Sequence, residues 1–166
     1  MDLQEMFELA GRTLREKNIE QGYAILPELT LALQVELSCC ASSWDGFRYW
    51  ENGQKNESCK ILDSYINCFR VLLSIGSVIS YPRNSYSLNA LSLKREETEG
   101  STVEVFLAVH QEITHFIERW GSFGESYAAY EKMFQNFLEL GRHLGLLHQV
   151  EEAYMSKTLS AISGNI

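Results

Sequence analysis

Residues 29–44 read LTLALQVELSCCASSW. Leu29, Ala32, Leu33, Glu36, Leu37, Cys40 and Trp44 recur at steps of three and four, the spacing that gathers side chains on one face of an α-helix. One member of that stripe, Glu36, is a carboxylate. An unpaired acid withdrawn from water is costly, so Glu36 is expected to be paired, hydrogen-bonded, metal-bound or only partly buried.

The same period runs through the flanking sequence. Asp2 and Glu5 have capping-box spacing and open a helix that places Leu3, Met6, Phe7, Ala10 and Leu14 on one face and ends near Asn18. Pro27 suits the first turn of the helix that carries Glu36. A third helix turns Ile61, Leu62, Tyr65, Phe69, Leu72 and Leu73 inward. Ser101 and Glu104 repeat the capping signal before a stripe of Val103, Phe106, His110, Ile113, Ile117 and Trp120. Gly121 and Gly124 break that stripe. A fifth helix carries Tyr127, Tyr130, Phe134, Phe137, Leu138 and Leu144, and a terminal one carries Val150, Ala153, Tyr154 and Lys157. The segment between Gly76 and Gly100 shows no clear period, and because ordered loops of that length are uncommon it reads as partly disordered or as a working surface. With only two prolines and few period-two alternations, the chain is expected to be an all-α bundle of about six helices, a single domain over residues 1–166.

Composition narrows the function. Fourteen basic against 22 acidic residues give a net charge of -8, which argues against a nucleic-acid partner. No stretch approaches the roughly 20 apolar residues needed to cross a bilayer, and the N-terminus reads Asp2, Glu5, Glu8 rather than a cationic signal peptide, so neither is expected and the location reads as cytoplasmic. Cys39, Cys40, Cys59 and Cys68 lack Cys-x-x-Cys spacing and read as reduced thiols that pack as small apolar groups. His110 and His115, like His143 and His148, are five apart, which does not align two ligands on one helical face, so zinc is not expected.

Several motifs together carry a resemblance. Residues 31–37 (LALQVEL), 46–50 (GFRYW), 60–76 (KILDSYINCFRVLLSIG), 137–141 (FLELG) and 151–157 (EEAYMSK) resemble, in order, the dimeric all-α dUTP pyrophosphatases of the all-α nucleoside triphosphate pyrophosphatase superfamily. That resemblance implies a dimeric multi-helix bundle. It also implies magnesium held by two pairs of acids, Glu-x-x-Glu on one helix and Glu-x-x-Asp on the next, because a hard cation takes oxygen ligands and bridges substrate phosphates.

At the matching positions this chain has Glu36 and Cys39, then Ser64 and Asn67. One carboxylate of four survives, a soft thiol and two neutral groups replace the rest, and no magnesium cofactor is expected to bind well. Asp63 corresponds to another family acid, but it sits a helical step off the face; a further family glutamate is here Ser43. The resemblance implies a substrate role for Phe47, Arg48, Trp50 and Lys157, of which Arg48 suits an oxyanion. The family asparagines after the lysine are here Thr158 and Ala161, and its first-helix glutamine is Ala10 or Gly11.

Three readings follow. The first is a dUTPase-like homodimer that has lost magnesium-dependent hydrolysis and is kept as a scaffold for a nucleotide or protein partner. The second is an active hydrolase with a rearranged site of Glu36, Asp63 and another acid such as Glu139 or Glu151. The third is a purely structural or interaction protein. The pattern of replaced acids favours the first.

Overall fold

The computed structural model describes residues 1–16, 22–50, 58–82, 84–92, 100–120 and 125–163. Seven α-helices and one 3-10 turn occur among them, and no strand: α1 (Leu3–Glu16), the turn Gly22–Ile25, α2 (Leu26–Trp44), α3 (Ser58–Val78), α4 (Ser85–Ala90), α5 (Thr102–Arg119), α6 (Glu125–His143) and α7 (Val150–Ser163). The all-α expectation holds, with one helix more than the sequence period revealed. The additional element is α4, a six-residue helix in the segment that lacked a period, started by Asn84, whose side chain accepts the Ser87 N–H at 2.8 Å. Six residues are under two turns, too short to display a recurring face.

The other starts follow from local chemistry. Asp2 accepts the Glu5 N–H at 3.0 Å. Pro27 lies in the first turn of α2, and Asp45 ends that helix in the left-handed region at φ 62°. At α5 the capping box is complete, Ser101 and Glu104 each satisfying the other's backbone N–H. Such reciprocal bonds occupy donors that a helix start leaves without partners.

Two helix pairs form the frame. α2 packs along α3 and α5 along α6, with α1 and α7 laid on α3 and α2 also touching α5. Aromatic rings fill the centre: Tyr65 stacks on Phe137 at 4.4 Å, Phe137 on Phe69 at 5.8 Å, and Phe134 on Phe7 at 6.3 Å. The glycine of FLELG permits this stacking, since a Cβ on Gly141 would collide with the Tyr65 hydroxyl and with Leu147. Tyr65 in turn donates to the Phe137 carbonyl at 2.9 Å.

Two expectations are corrected. The buried face of α5 is Val105, Phe106, Val109, Glu112, Ile113 and Phe116, whereas Val103 is exposed and His110 half-buried. The helix carries two overlapping apolar ladders, and the one containing an acid is the one that faces the core. Also, the helices spanning Gly22–Trp44 and Cys59–Val78 are long and apolar enough, by length and composition alone, to cross a membrane. Scattered polar residues interrupt the apolar runs without lowering the average enough to exclude them. Here both are packed helices of the bundle, but of the most apolar 18-residue stretch of each only 28% is buried in the first against 50% in the second, and Leu31 and Val35 are among the residues that face outward on α2.

Candidate functional site

Where α2 and α3 meet α1 and α7, they line a cavity of about 290 Å³ that is open to solvent on one side. Glu36 enters it from α2, Asn67, Arg70 and Ser74 from α3, Thr13 from α1 and Thr158 from α7. Ala10, Leu14, Leu29 and Val71 supply apolar wall, and Tyr154 closes one side. The i, i+3, i+7 spacing of Asn67, Arg70 and Ser74 puts all three on one face of α3.

The geometry treats the four expected ligand positions unequally. Glu36 and Asn67 share the cavity, and Glu36 is half-buried rather than fully enclosed. Ser64 lies further along the seam, hydrogen-bonded to Ser43 at 2.9 Å between the two hydroxyls. Cys39 is not brought to Glu36: it is exposed and lines an open groove on α2 with Gln34, Val35, Ser38 and Ser42. Asp63 is exposed and points to α7, where Lys157 Nζ meets its carboxylate at 3.3 Å. That pair accounts for Lys157 as well. Neither acid suggested for a rearranged site reaches the cavity, since Glu139 is bound to Arg142 and His143 on its own helix and Glu151 to the N-terminal ammonium at 3.2 Å.

Phe47, Arg48 and Trp50 form a separate group beyond the end of α2. Arg48 pairs with Asp45 at 2.5 Å and lies over the Phe47 ring at 5.7 Å, while Trp50, 60% exposed, meets Phe47 and Tyr49 edge-on. Arg48 is therefore already engaged.

Sequence reasoning missed three things. The most deeply buried acids are Glu112 and Glu139, not Glu36. Glu112 is satisfied by Lys132 at 2.7 Å and by His115 at 3.4 Å, which makes it a structural acid. The second is Arg70, to which no role was assigned although its place three after Asn67 is a usable signal. The third is the contact between Cys40 and Cys68: these two thiols are buried as expected, whereas Cys39 and Cys59 are exposed, and Cys68 is pushed well above its usual range, first by its hydrogen bond with Cys40 and then by burial. Tyr154, pushed up to about 12 by burial against smaller lowering effects of Thr158 and Arg70, donates its proton to the Met6 carbonyl at 3.1 Å, and beyond its contact with that tyrosine the Thr158 Oγ1 has no partner among the described residues.

This donor set does not fit magnesium. One carboxylate and one amide share the cavity with a guanidinium, and no group of three or more His, Cys, Asp or Glu side chains converges among the described residues. A hard dication beside a fixed cation, with a single anionic ligand, is poorly held.

Comparison with known proteins places the chain. A family model described as dUTPase matches residues 1–161, and neither a curated protein nor a solved structure is matched. The chain belongs to the all-α dUTPase family.

Proposed function

We propose that this dUTPase-family chain is a homodimeric, single-domain binding scaffold whose cavity accepts a small molecule, and that it does not hydrolyse dUTP with magnesium. The observation that carries this reading is the makeup of the cavity: where the family chemistry needs four converging acids, Glu36 shares the space with Asn67 and Arg70. Phosphoryl chemistry at such a fold depends on metal charge to neutralise the phosphates, and one acid next to a guanidinium does not supply the site for it. The polar lining speaks against a filled, purely structural core. Phe47, Arg48 and Trp50 are the residues proposed to contact a nucleotide extending beyond the cavity.

Support for the dimer comes from the outer face of α2. Leu31 and Val35 are 61% and 54% exposed, and on the adjoining α5 Val103 and Leu107 are also exposed. Exposed apolar side chains on neighbouring helices suit a covering surface, and a two-fold partner would present the same pair of helices.

The test is pyrophosphate release from dUTP in millimolar magnesium, with sedimentation of the parent and of Leu31→Asp. The reading expects no turnover above background, a dimeric parent and a dissociated variant. Turnover at about 1 per second or faster, an ordinary enzyme rate, would overturn it.

A further inference from the structure

Glu36 and Arg70 line one cavity, yet neither forms an ion pair with any described residue, and they do not pair with each other. Two opposite charges facing one space without touching leave room for something between them. The remaining polar groups divide in the same sense. Thr13 Oγ1 and Ser74 Oγ spend their protons on the Leu9 and Arg70 carbonyls, at 3.0 and 2.9 Å, so toward the cavity they offer acceptor lone pairs. Arg70, the Asn67 amide and Thr158 supply donors. Thr158 is 2% exposed, and beyond a contact with the Tyr154 hydroxyl too poorly aligned for a full hydrogen bond its hydroxyl has no partner among the described residues, which is costly unless a ligand or water completes it.

We propose that this cavity binds, without metal, a small molecule that carries an oxyanion for Arg70 and hydrogen-bond donors for Glu36. The guanidinium takes phosphate or carboxylate oxygens through paired N–H donors, with Asn67 and Thr158 completing the anion's shell. At the opposite pole Glu36 receives an amine, hydroxyl or imide N–H. A cavity of about 290 Å³ lies at the small end of ligand sites and suits a compact phosphomonoester or amino acid-like compound. The inference rests on the reading of this cavity as a ligand site that works without magnesium.

Calorimetric titration of the full chain in EDTA tests it, with inorganic phosphate and phosphoethanolamine as probes. Phosphoethanolamine, which carries an ammonium as well as the phosphate, is expected to bind more tightly than phosphate. Arg70→Gln should weaken both by about 10- to 100-fold, the range for loss of a charge-assisted hydrogen bond. Glu36→Gln should strengthen phosphate and erase the preference. Thr158→Val serves as the second variant: it removes a buried hydroxyl whose only described contact is the poorly aligned one with Tyr154, at constant shape, so it should melt close to the parent while binding phosphate more weakly. Absence of binding by either probe, or unchanged affinity in Arg70→Gln or in Thr158→Val, overturns the proposal. Should dUTP be hydrolysed in magnesium, the underlying reading fails whatever the EDTA titrations give; no turnover together with no binding defeats this inference alone.

Discussion

Replacing Asn67 by aspartate puts a second carboxylate into the cavity that already holds Glu36. If the two carboxylates stand about 6 Å apart, then at an effective dielectric of about 20 they repel by about 3 kcal/mol. Arg70, one turn along the same face, offsets part of this, leaving a net loss of about 1–2 kcal/mol. For a chain of 166 residues that corresponds to a melting temperature lower by about 2–8 °C in EDTA. Paired carboxylates also create the ligand set that magnesium lacks in the parent. If the ion binds the variant with a Kd of about 1 mM, then about 10 mM magnesium returns roughly 1.4 kcal/mol by mass action, most of what was lost. Melting curves at matched ionic strength read this directly. Asn67→Asp should fall in EDTA and recover in magnesium, while the parent moves little. Equal magnesium shifts in parent and variant would refute the placement of residues 36 and 67 in one cavity.

Three further outcomes follow from the packing. Gly141→Ala, which on an open helix would help, should instead destabilise by about 1–3 kcal/mol in urea, because the new Cβ meets the Tyr65 ring and Leu147; Tyr65→Phe in that background should cost less than it does alone. Lys132→Met should destabilise by about 1–2 kcal/mol by stranding Glu112, and Glu112→Gln added to it should recover part of the loss, since removing both charges spares the buried acid. Half-burial lowers the pKa of His110 below the ordinary 6.5, so its contribution to stability is complete above pH 6.5 and falls as pH drops toward the lower folded value. In His110→Gln that part of the acid-side slope of the melting temperature should disappear.

How far the chain could be read from its letters varies with the physics involved. Helices with one unambiguous apolar ladder, such as α3 with Ile61, Tyr65, Phe69, Leu72 and Leu73, came out with the inward face foreseen. α5 did not, because period alone cannot choose between two overlapping ladders and the buried one holds Glu112, whose partner Lys132 lies on another helix. The same limit applies at the site. Glu36 and Asn67 were expected to converge because the family resemblance makes them ligand positions, and they do share a cavity; Cys39, one residue from the buried Cys40, falls about 100° away around the helix and ends on the outer groove. Arg70 and Thr158 gained their meaning only when α3 and α7 were packed together. A cavity made by four helices is a property of their arrangement, not of any one stretch of sequence.

Titration of magnesium into the unmodified protein, by calorimetry in a chelator-free buffer, addresses the central claim most directly. With Glu36 as the single acid facing Arg70 across the cavity, no saturable binding is expected up to about 10 mM. Stoichiometric binding with a Kd below about 1 mM, abolished by Glu36→Gln, would contradict it.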